Sequence, residues 1–593
     1  MKRPLIYYSI SVFIGCVSSM MLYENALIGA VIAASFFAIL FFTLDEKFLI
    51  INILFFAIGI FSFAMYFNIK VPDTIEVRLI ENKGYYYVSS YKGRKILLNG
   101  KVSKIKEGER IKICGTFKND KDFSRGVIGN YKVDKYDVCK KDYVYYLYEI
   151  KRNIYTQYKE ILGDERSALV MALCYGNTEY LTKNQKSEFL KMGVFHAVSV
   201  SGFHMAIIYK VLELIIGLKF AILVSFIYIL FTGMQASTVR AFIMIIIFKF
   251  SKMFFKNYDN LSSLALAALI LLIGKPYYVI DVGFMLSFLA TLGIILYYKK
   301  ILRTLYKLPQ KLNESLSITL SSQIFSVPYT AFNVQNFSSG FILGNIFLLP
   351  MYSVIVILGN SALLFCSIPV IFRLLSSGLN FMLTAIEGAN YLILKFCPPI
   401  SYLTYLDGFA LILIYLSFIL YKHGYIKFKY LPSFILILIL FQSYSFVPQV
   451  FHINFSEGEG VVVKYKTNKV MVCSYSQSSV KEVINIKERM NVDKIFTNPK
   501  QNFKIDIGES FQLGVMCYGE GNIFNTIISN KNKKFVFINN NMGKEALSVF
   551  SSYDAVKLPQ RSLENNSQNN KVYISEDNIS LYVIIFNRIF RVY

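Results

Sequence analysis

Long apolar runs constrain this chain more than any other feature of its sequence. Residues 5–23, 26–44 and 48–69 follow one another at the start, each close to the ~20 residues that a helix needs to cross a bilayer. Hydrophobic residues make up 54% of the 593 residues and charged residues only 17%, a balance that excludes a soluble multidomain enzyme. We therefore predict a polytopic α-helical membrane protein whose residues 1–69 form three transmembrane helices.

The pattern changes in residues 70–142, where short alternating runs replace the apolar stretches. Candidate strands lie at residues 85–91, 96–105, 110–117 and 131–138, separated by turn residues. A domain of about five such strands suits an OB-like β-barrel. Cations and aromatics are mixed in it, which suits phosphate neutralisation and base stacking. The candidate DNA contacts are Tyr85, Lys92, Arg94, Lys95, Lys104 and Lys112.

Two explanations of these cations stay open. The net charge of +25 suits a nucleic-acid backbone, but it also suits lysine-rich cytoplasmic loops of a membrane protein. Tyrosine and phenylalanine are, in addition, ordinary strand residues.

A second membrane block is predicted for residues 166–448, after an amphipathic interfacial helix at residues 143–165. Its candidate spans are residues 200–217, 218–233, 238–250, 261–273, 282–298, 318–332, 342–365, 381–396, 409–421 and 434–446. With the first three, about 13 spans result. Several are short, as in helices that line a pathway, and Pro328 and Pro350 are predicted to break the helices that contain them.

The loop charges predict the orientation of the chain. Basic clusters near residues 2–3, 249–256, 299–311 and 422–429 are expected in the cytoplasm. Counting spans from these clusters places both the OB-like domain and residues 449–593 outside the cytoplasm. There, Cys114 and Cys139 could form a disulfide.

Polar side chains interrupt the apolar spans of the second block. An ionisable side chain at membrane depth is costly unless it faces a cavity or a partner, so these residues predict a polar path. Packing between close helices is the alternative for the small ones. The candidates are His196, Ser199, Ser201, His204, Arg240, Asp281, Ser287 and Asn345.

Three motifs contain most of these residues: HAVSVSGFH at 196–204, STVRAFIM at 237–244 and DVGFMLSF at 281–288. In this order they resemble the ComEC family of DNA-internalisation competence proteins, as does the order of predicted parts along nearly the whole chain. The resemblance implies a channel in the cell membrane for single-stranded DNA, with an OB domain that contacts DNA outside. It also implies a DNA receptor on the outer face and a cytosolic helicase-like ATPase as partners, besides membrane lipid and possible homo-oligomers. No G-x-x-x-x-G-K-[ST] loop occurs in this chain, so such a motor must be a separate protein.

Residues 449–593 depart from the family pattern. The resemblance implies an α/β metallo-β-lactamase-like domain, whose site needs clustered His and Asp ligands. Where the family shows Thr-His-x-His-x-Asp-His, this chain has TNPKQNF at 497–503, and Gln560 and Arg561 replace a later histidine pair. We predict a domain without metal ligands, cofactor or nuclease activity, in a protein that is not an enzyme.

Three alternative functions remain. The same block could serve a transporter or envelope-assembly protein for another substrate. Ser199 or Ser201 with a nearby histidine could form an intramembrane hydrolase, although no G-x-S-x-G motif is present. A competence protein that has lost transport would explain the missing metal ligands but not the intact membrane motifs.

Overall fold

The computed structural model divides the chain into two compact units. Unit 1 contains residues 1–333 and 337–400, and unit 2 contains residues 334–336 and 401–593. The structure describes residues 3–102, 105–398, 400–490, 492–508, 511–518, 523–530, 533–537, 555–558, 571–574, 579–585 and 588–591. Each unit has hydrophobic clusters of its own.

Three helices open unit 1, as the apolar runs predict: α1 (Pro4–Glu24), α2 (Ala26–Thr43) and α3 (Glu46–Phe67). Asn25 separates the first two because its side-chain oxygen accepts the N–H of Leu27 at 3.0 Å and caps α2.

Helices α1 and α3 approach closely through two glycines. A Cβ at Gly15 would overlap the carbonyl oxygen of Phe56, and one at Gly59 would overlap that of Val12. Backbone contact of this kind is available only to small residues and is common between membrane helices.

Five strands then form a closed barrel: β1 (Thr74–Asn82), β2 (Tyr87–Tyr91), β3 (Arg94–Gly100), β4 (Arg110–Lys118) and β5 (Val127–Val138). The strand order is β1-β2-β3-β5-β4, and β4 closes the barrel on β1. Neighbouring strands are antiparallel except β3 and β5, which run parallel. Ile111 and Ile113 point inward while their neighbours are exposed, so the alternation in the sequence sets the barrel interior.

Helices make up the rest of unit 1. They are α4 (Tyr143–Leu162), α5 (Asp164–Tyr175), α6 (Lys183–Lys191), α7 (Phe195–Val198), α8 (Gly202–Phe231), α9 (Ala236–Met253), α10 (Asn260–Gly274), α11 (Val282–Thr304), α12 (Gln310–Asn333), α13 (Phe341–Leu364) and α14 (Pro369–Phe396). The short strand β6 (Asn336–Phe337) lies between α12 and α13, where the chain passes from one unit to the other. Helix α8 bends at Gly217, whose φ of 74° lies in the left-handed region, at the predicted boundary between two spans.

Two predicted helix breaks are wrong. Helix α12 continues through Pro328 and α13 continues through Pro350. A proline removes one backbone N–H and crowds one carbonyl, which bends a helix without ending it when the flanking turns are well packed.

The core of unit 1 is centred on α5 and α13. The carbonyl of Gly359 on α13 accepts hydrogen bonds from the hydroxyls of Tyr158 at 3.1 Å and Tyr175 at 2.8 Å. Tyr158 belongs to α4, whose Ile154 and Leu162 are also buried in this core. One face of α4 therefore packs against protein.

The barrel is joined to α4 by an ion pair. Arg78 on β1 makes two hydrogen bonds to the carboxylate of Asp142, one of them at 2.9 Å, and Asp142 caps α4 by accepting the N–H of Tyr145 at 3.1 Å. The Arg78 guanidinium lowers the pKa of Asp142 to about 2.

Unit 2 contains the short strand β7 (Ser401–Tyr402) and the apolar helices α15 (Tyr405–Lys422) and α16 (Leu431–Ser443). It continues with β8 (Ser445–Phe455), β9 (Gly458–Lys466), β10 (Asn468–Tyr475), α17 (Val480–Met490), β11 (Lys494–Thr497), β12 (Phe503–Gly508), β13 (Phe511–Tyr518), β14 (Ile523–Asn530), β15 (Lys533–Phe537), β16 (Ala555–Leu558), β17 (Lys571–Ile574), β18 (Ile579–Ile585) and β19 (Arg588–Arg591).

These strands form two six-stranded sheets. Their orders are β11-β10-β9-β8-β18-β19 and β12-β13-β14-β15-β16-β17. Val463 and Leu513, one from each sheet, belong to a single buried cluster, and Val483 of α17 is buried with the other face of the first sheet. The unit is therefore a sandwich of two sheets with a helix on one side.

Among the described residues, eight helical segments are long and apolar enough to cross a membrane. They are α1, α2, α3, α7 with α8, α11, α13, α14 and α15; α10 is apolar but shorter. The chain is thus a multi-pass membrane protein.

We expect Gly59→Ala to destabilise the protein by about 1–3 kcal/mol, because the added carbon meets backbone that cannot rotate away. The thermal unfolding midpoint of the purified chain in detergent should fall. Gly388→Ala in α14 is the control, since nothing lies within 4 Å of the carbon it adds. Equal midpoints for the two variants would contradict the α1–α3 contact.

We expect Asp142→Asn, which keeps a capping oxygen but removes the charge, to cost about 1 kcal/mol at pH 7. Because the carboxyl pKa is depressed in the folded protein, this contribution is complete above about pH 4 and is lost as the pH falls through about 2. The difference in unfolding midpoint between wild type and variant should therefore shrink in acid. Asp164→Asn, which removes an exposed pair with Lys159, should change little at any pH. A wild-type-to-Asn difference that does not vary with pH would contradict this role for Asp142.

Candidate polar site in the helical block

The junction between α7 and α8 is built around a histidine cap. The N–H of Ser201 donates to Nδ1 of His204 at 2.9 Å, and the Ser201 Oγ lies 3.0 Å from the same nitrogen. Ser201 in turn accepts the backbone N–H of His204, which completes a capping box. Because Nδ1 accepts, the neutral ring carries its proton on Nε2. That nitrogen is buried and has no hydrogen-bond partner among the described residues.

Arg240 of α9 lies against this helix start. A Cβ at Gly202 would be 2.7 Å from Nη2 of Arg240, so the glycine allows the guanidinium to lie this close to the helix backbone. The guanidinium carbon is 5.8 Å from the ring centroid of Phe288 on α11. In the part of the chain that the structure describes, the Nε of Arg240 has no hydrogen-bond partner.

Two further predicted residues belong to the same region. The side chain of His196, on α7, is exposed. Its Nδ1 is 3.1 Å from the carbonyl of Gly193. Ser199 donates to Oε1 of Gln235 at 3.3 Å, which joins the α7–α8 junction to the start of α9.

Three predicted residues lie outside this cluster. Asp281 caps α11 by accepting the N–H of Phe284 at 2.7 Å, and its charge faces Lys95 and Lys275. Ser287 precedes Phe288 on α11, a helix that packs against α9.

Asn345 is buried on α13, which packs against α8, and no described residue donates a hydrogen bond to its Oδ1. The neighbouring Gly344 packs against Met192 and Val194, just before α7. Asn345 therefore borders the α7 region on a different helix.

Residues that the sequence did not single out complete the site. Gln235 and Phe288 contact Ser199 and Arg240, respectively. Gln235 had one available signal, because it is a polar residue directly before an apolar helix. The sequence gives no signal for Phe288, since nothing distinguishes it from the other phenylalanines of the apolar spans.

The barrel candidates divide into two groups. Tyr85 is 99% exposed, and Lys92 and Lys112 are also exposed. Lys104 lies outside the described residues. These exposed positions are available for contact with a ligand.

Arg94 and Lys95 instead fasten the barrel to the helices. Arg94 donates to the carbonyls of Tyr66 at 2.8 Å and Met65 at 2.9 Å, at the end of α3. Lys95 lies 5.1 Å from the ring centroid of Tyr277 and donates to a backbone carbonyl, and burial lowers its pKa. Their contacts are structural.

The predicted disulfide is not formed, since Cys114 and Cys139 are both free thiols. Cys114 is paired across β4 and β5 with Lys135, whereas the N–H of Cys139 donates to the carbonyl of Arg110. An offset of four residues along a strand is too far for a sulfur bridge.

Residues 497–503, where the resemblance implies metal ligands, make structural contacts within unit 2. Asn498 follows β11, and its side chain accepts the N–H of Tyr475 at 2.9 Å. Asn502 accepts the N–H of Cys517 at 2.7 Å, and Phe503 packs on Phe496.

His452 is likewise engaged within unit 2, because its Nε2 lies 3.0 Å from Glu459 Oε2. No group of three or more His, Cys, Asp or Glu in the described part of the chain could hold a metal ion. Gln560 and Arg561 lie outside that part.

The start of α8 thus carries one neutral N–H donor, His204 Nε2, and the charged donor Arg240 of α9 lies beside its first residue, Gly202. Such donors can bind water or a polar ligand. The Ser201–His204 pair also has the separation of a nucleophile and its base, although the capping box alone accounts for it.

Comparison with known proteins covers this same block. Residues 173–421 match the family described as "Competence protein". The chain is 23% identical over 308 residues to "ComE operon protein 3" of Bacillus subtilis (strain 168), which covers 49% of this chain and 39% of the relative. It is 26% identical over 186 residues to an uncharacterized protein of Aquifex aeolicus (strain VF5), covering 29% of this chain and 45% of that protein. The chain therefore spans less than half the length of either relative, and no solved structure matches it. Residues 173–421 therefore carry a domain of the competence-protein family, and the similarity to "ComE operon protein 3" supports the resemblance to ComEC proteins.

Proposed function

We propose that this protein is a cell-membrane channel that admits single-stranded DNA to the cytoplasm during natural transformation. The observation that carries the proposal is that the family-matched block is the one that holds the buried polar cluster of α7, α8 and α9. Unpartnered polar atoms inside an apolar helical block are expected where a hydrated path passes.

The proposal includes a topology of about 13 spans, with the barrel and residues 449–593 outside the cytoplasm. The strand order of the barrel supports an OB-like assignment, and the exposed Tyr85, Lys92 and Lys112 are the residues proposed to contact DNA. We further propose a DNA receptor outside and a helicase-like ATPase in the cytosol as partners. Moving each phosphate into a negative-inside cell costs about 2.3 kcal/mol per 100 mV, so a motor is needed.

We propose that unit 2 derives from a metallo-β-lactamase-like domain and has no nuclease activity. The two sheets and α17 support this origin. Asn498 and Asn502 occupy ligand positions of the family pattern but bind backbone, and neither side chain can replace an imidazole or a carboxylate at a catalytic metal.

An intramembrane hydrolase is a second candidate, favoured by the 3.0 Å separation of Ser201 Oγ and His204 Nδ1. Substitution of Ser201 distinguishes the hydrolase from the channel. Asparagine at position 201 keeps a capping oxygen but cannot act as a nucleophile.

The test follows labelled DNA in a transformable bacterium that lacks its own competence channel. We expect this gene to restore transfer of label from a surface-bound state to the cytosol. Ser201→Asn should retain more transfer than Ser201→Ala, because loss of the cap costs about 1 kcal/mol at the start of α8. The amount of protein in the membrane is measured for each variant.

Three outcomes would contradict parts of this account. Label that stays outside with and without the gene would contradict DNA transport and favour a transporter for another substrate. Equal loss in Ser201→Asn and Ser201→Ala would favour the hydrolase. Nuclease activity of the purified chain would contradict the assignment of unit 2.

A further inference from the structure

One outward face of the barrel carries lysines at neighbouring positions. Along β4, residues 114, 116 and 118 are exposed and alternate with residues that point inward. The strand register places Lys135 of β5 beside Cys114, and Lys132 beside Thr116. Lys101, directly after β3, is also exposed, and its N–H donates to a carbonyl of β5 at 3.0 Å. We call this surface the β4–β5 face, and its residues are Lys101, Cys114, Thr116, Lys118, Lys132 and Lys135.

The lysines of this face form no ion pair with any described residue. The described ion pairs of the barrel involve other cations, namely Arg78, Lys83, Arg110 and Arg125. Two carboxylates border the face: Asp120 accepts a hydrogen bond from Asn130 at 2.9 Å, and Asp134 is exposed at the bulge of β5. The lysines outnumber these carboxylates, so the face presents a positive charge to solvent.

The surface on which OB-like barrels usually bind nucleic acid is partly covered in this chain. That surface consists of the second and third strands and the loops after the first and fourth strands. Here Arg94 and Lys95 of β3 contact the helical part of unit 1. In the loop after β4, Lys121 donates to Oδ1 of Asn68, directly after α3, at 2.8 Å. The β4–β5 face lies outside these contacts and remains accessible.

The composition of this face fits a polyanion better than a lipid surface or a protein. Its members other than lysine are Cys114 and Thr116, whereas large hydrophobic side chains exposed on the barrel, such as Tyr85 and Val138, lie elsewhere. Binding at a membrane surface needs apolar side chains that insert, and a protein interface is usually built on an apolar core. Binding of a nucleic-acid backbone needs only cations that follow its phosphates.

We propose that the β4–β5 face binds the phosphate backbone of incoming DNA, an inference that deepens the proposed function and rests on it. Because no aromatic residue belongs to the face, it neutralises phosphates without stacking bases, and its binding is independent of base sequence. The face ends at Lys118, three residues before Lys121 and its contact beyond α3. A strand held here therefore lies next to the membrane helices.

Cys114 provides a reporter in the middle of the face, because it is an exposed free thiol. Alkylation of the full chain by N-ethylmaleimide, a neutral reagent, is measured in a maltoside detergent by mass spectrometry of the Cys114 peptide. The additions are a thymidine oligomer, an abasic oligomer of the same length, or micelles that contain phosphatidylglycerol. Cys517 of unit 2 is the internal reference for effects that are not confined to the barrel.

We expect both oligomers to protect Cys114 equally and the phospholipid not to protect it. Lys118→Gln and Lys132→Gln should each weaken protection about fivefold at about 0.1 M salt, and each should reduce the slope of log affinity against log salt by about 0.7, the loss of one phosphate contact. Arg110→Gln is the matched control, because it removes one charge from the same strand, but that charge is already paired with Glu76. Its affinity and slope should equal those of the wild type.

Absence of protection by DNA, or equal effects of Lys132→Gln and Arg110→Gln, would overturn the face. Protection by the thymidine oligomer but not by the abasic one would overturn backbone binding, and protection by the phospholipid alone would favour a lipid surface. The measurement needs no transport. DNA binding by a protein that fails to restore uptake would therefore refute the proposed function, whereas normal uptake without protection of Cys114 would refute only this face.

Discussion

The cap that begins α8 organises the polar interior of this protein. Ser201 and His204 satisfy each other's backbone groups, so α8 starts inside the helical block, next to apolar neighbours, without help from solvent. Gly202 follows directly and leaves the space that Arg240 fills. The Ser201–His204 capping box fixes the start of α8, and the absence of a Cβ at Gly202 allows the Arg240 guanidinium of α9 to approach it.

Several cations of the barrel are likewise bound within the protein. Arg94 and Lys95 would neutralise phosphates if they were free, but they bind carbonyls and an aromatic face at the contact with the helices. Arg78 does the same through Asp142. A net charge of +25 therefore overstates the surface that is available to a polyanion, since part of it fastens the barrel to α3 and α4.

Local periodicity predicted most of the apolar helices, four of the five barrel strands and a boundary at Gly217, because each depends on the residues within one element. Strand β1 was not among the predicted strands. The pairing of elements did not follow from periodicity. A disulfide between Cys114 and Cys139 was predicted, but the strand register keeps the two residues apart. Asp281 was predicted to line the polar path, but it caps α11 and faces lysines. Gln235 was missed because its partner, Ser199, lies directly after α7, far from Gln235 in the sequence.

The most direct test of a polar path in the helical block is a photo-crosslink to DNA in transit. Benzoylphenylalanine in place of Phe203, beside His204 at the start of α8, should trap a labelled single strand during uptake. The same substitution at Phe220, which is 64% exposed on the later part of α8, should not. Equal crosslinking at both positions, or none at Phe203 while DNA enters the cell, would contradict passage of the strand through this site.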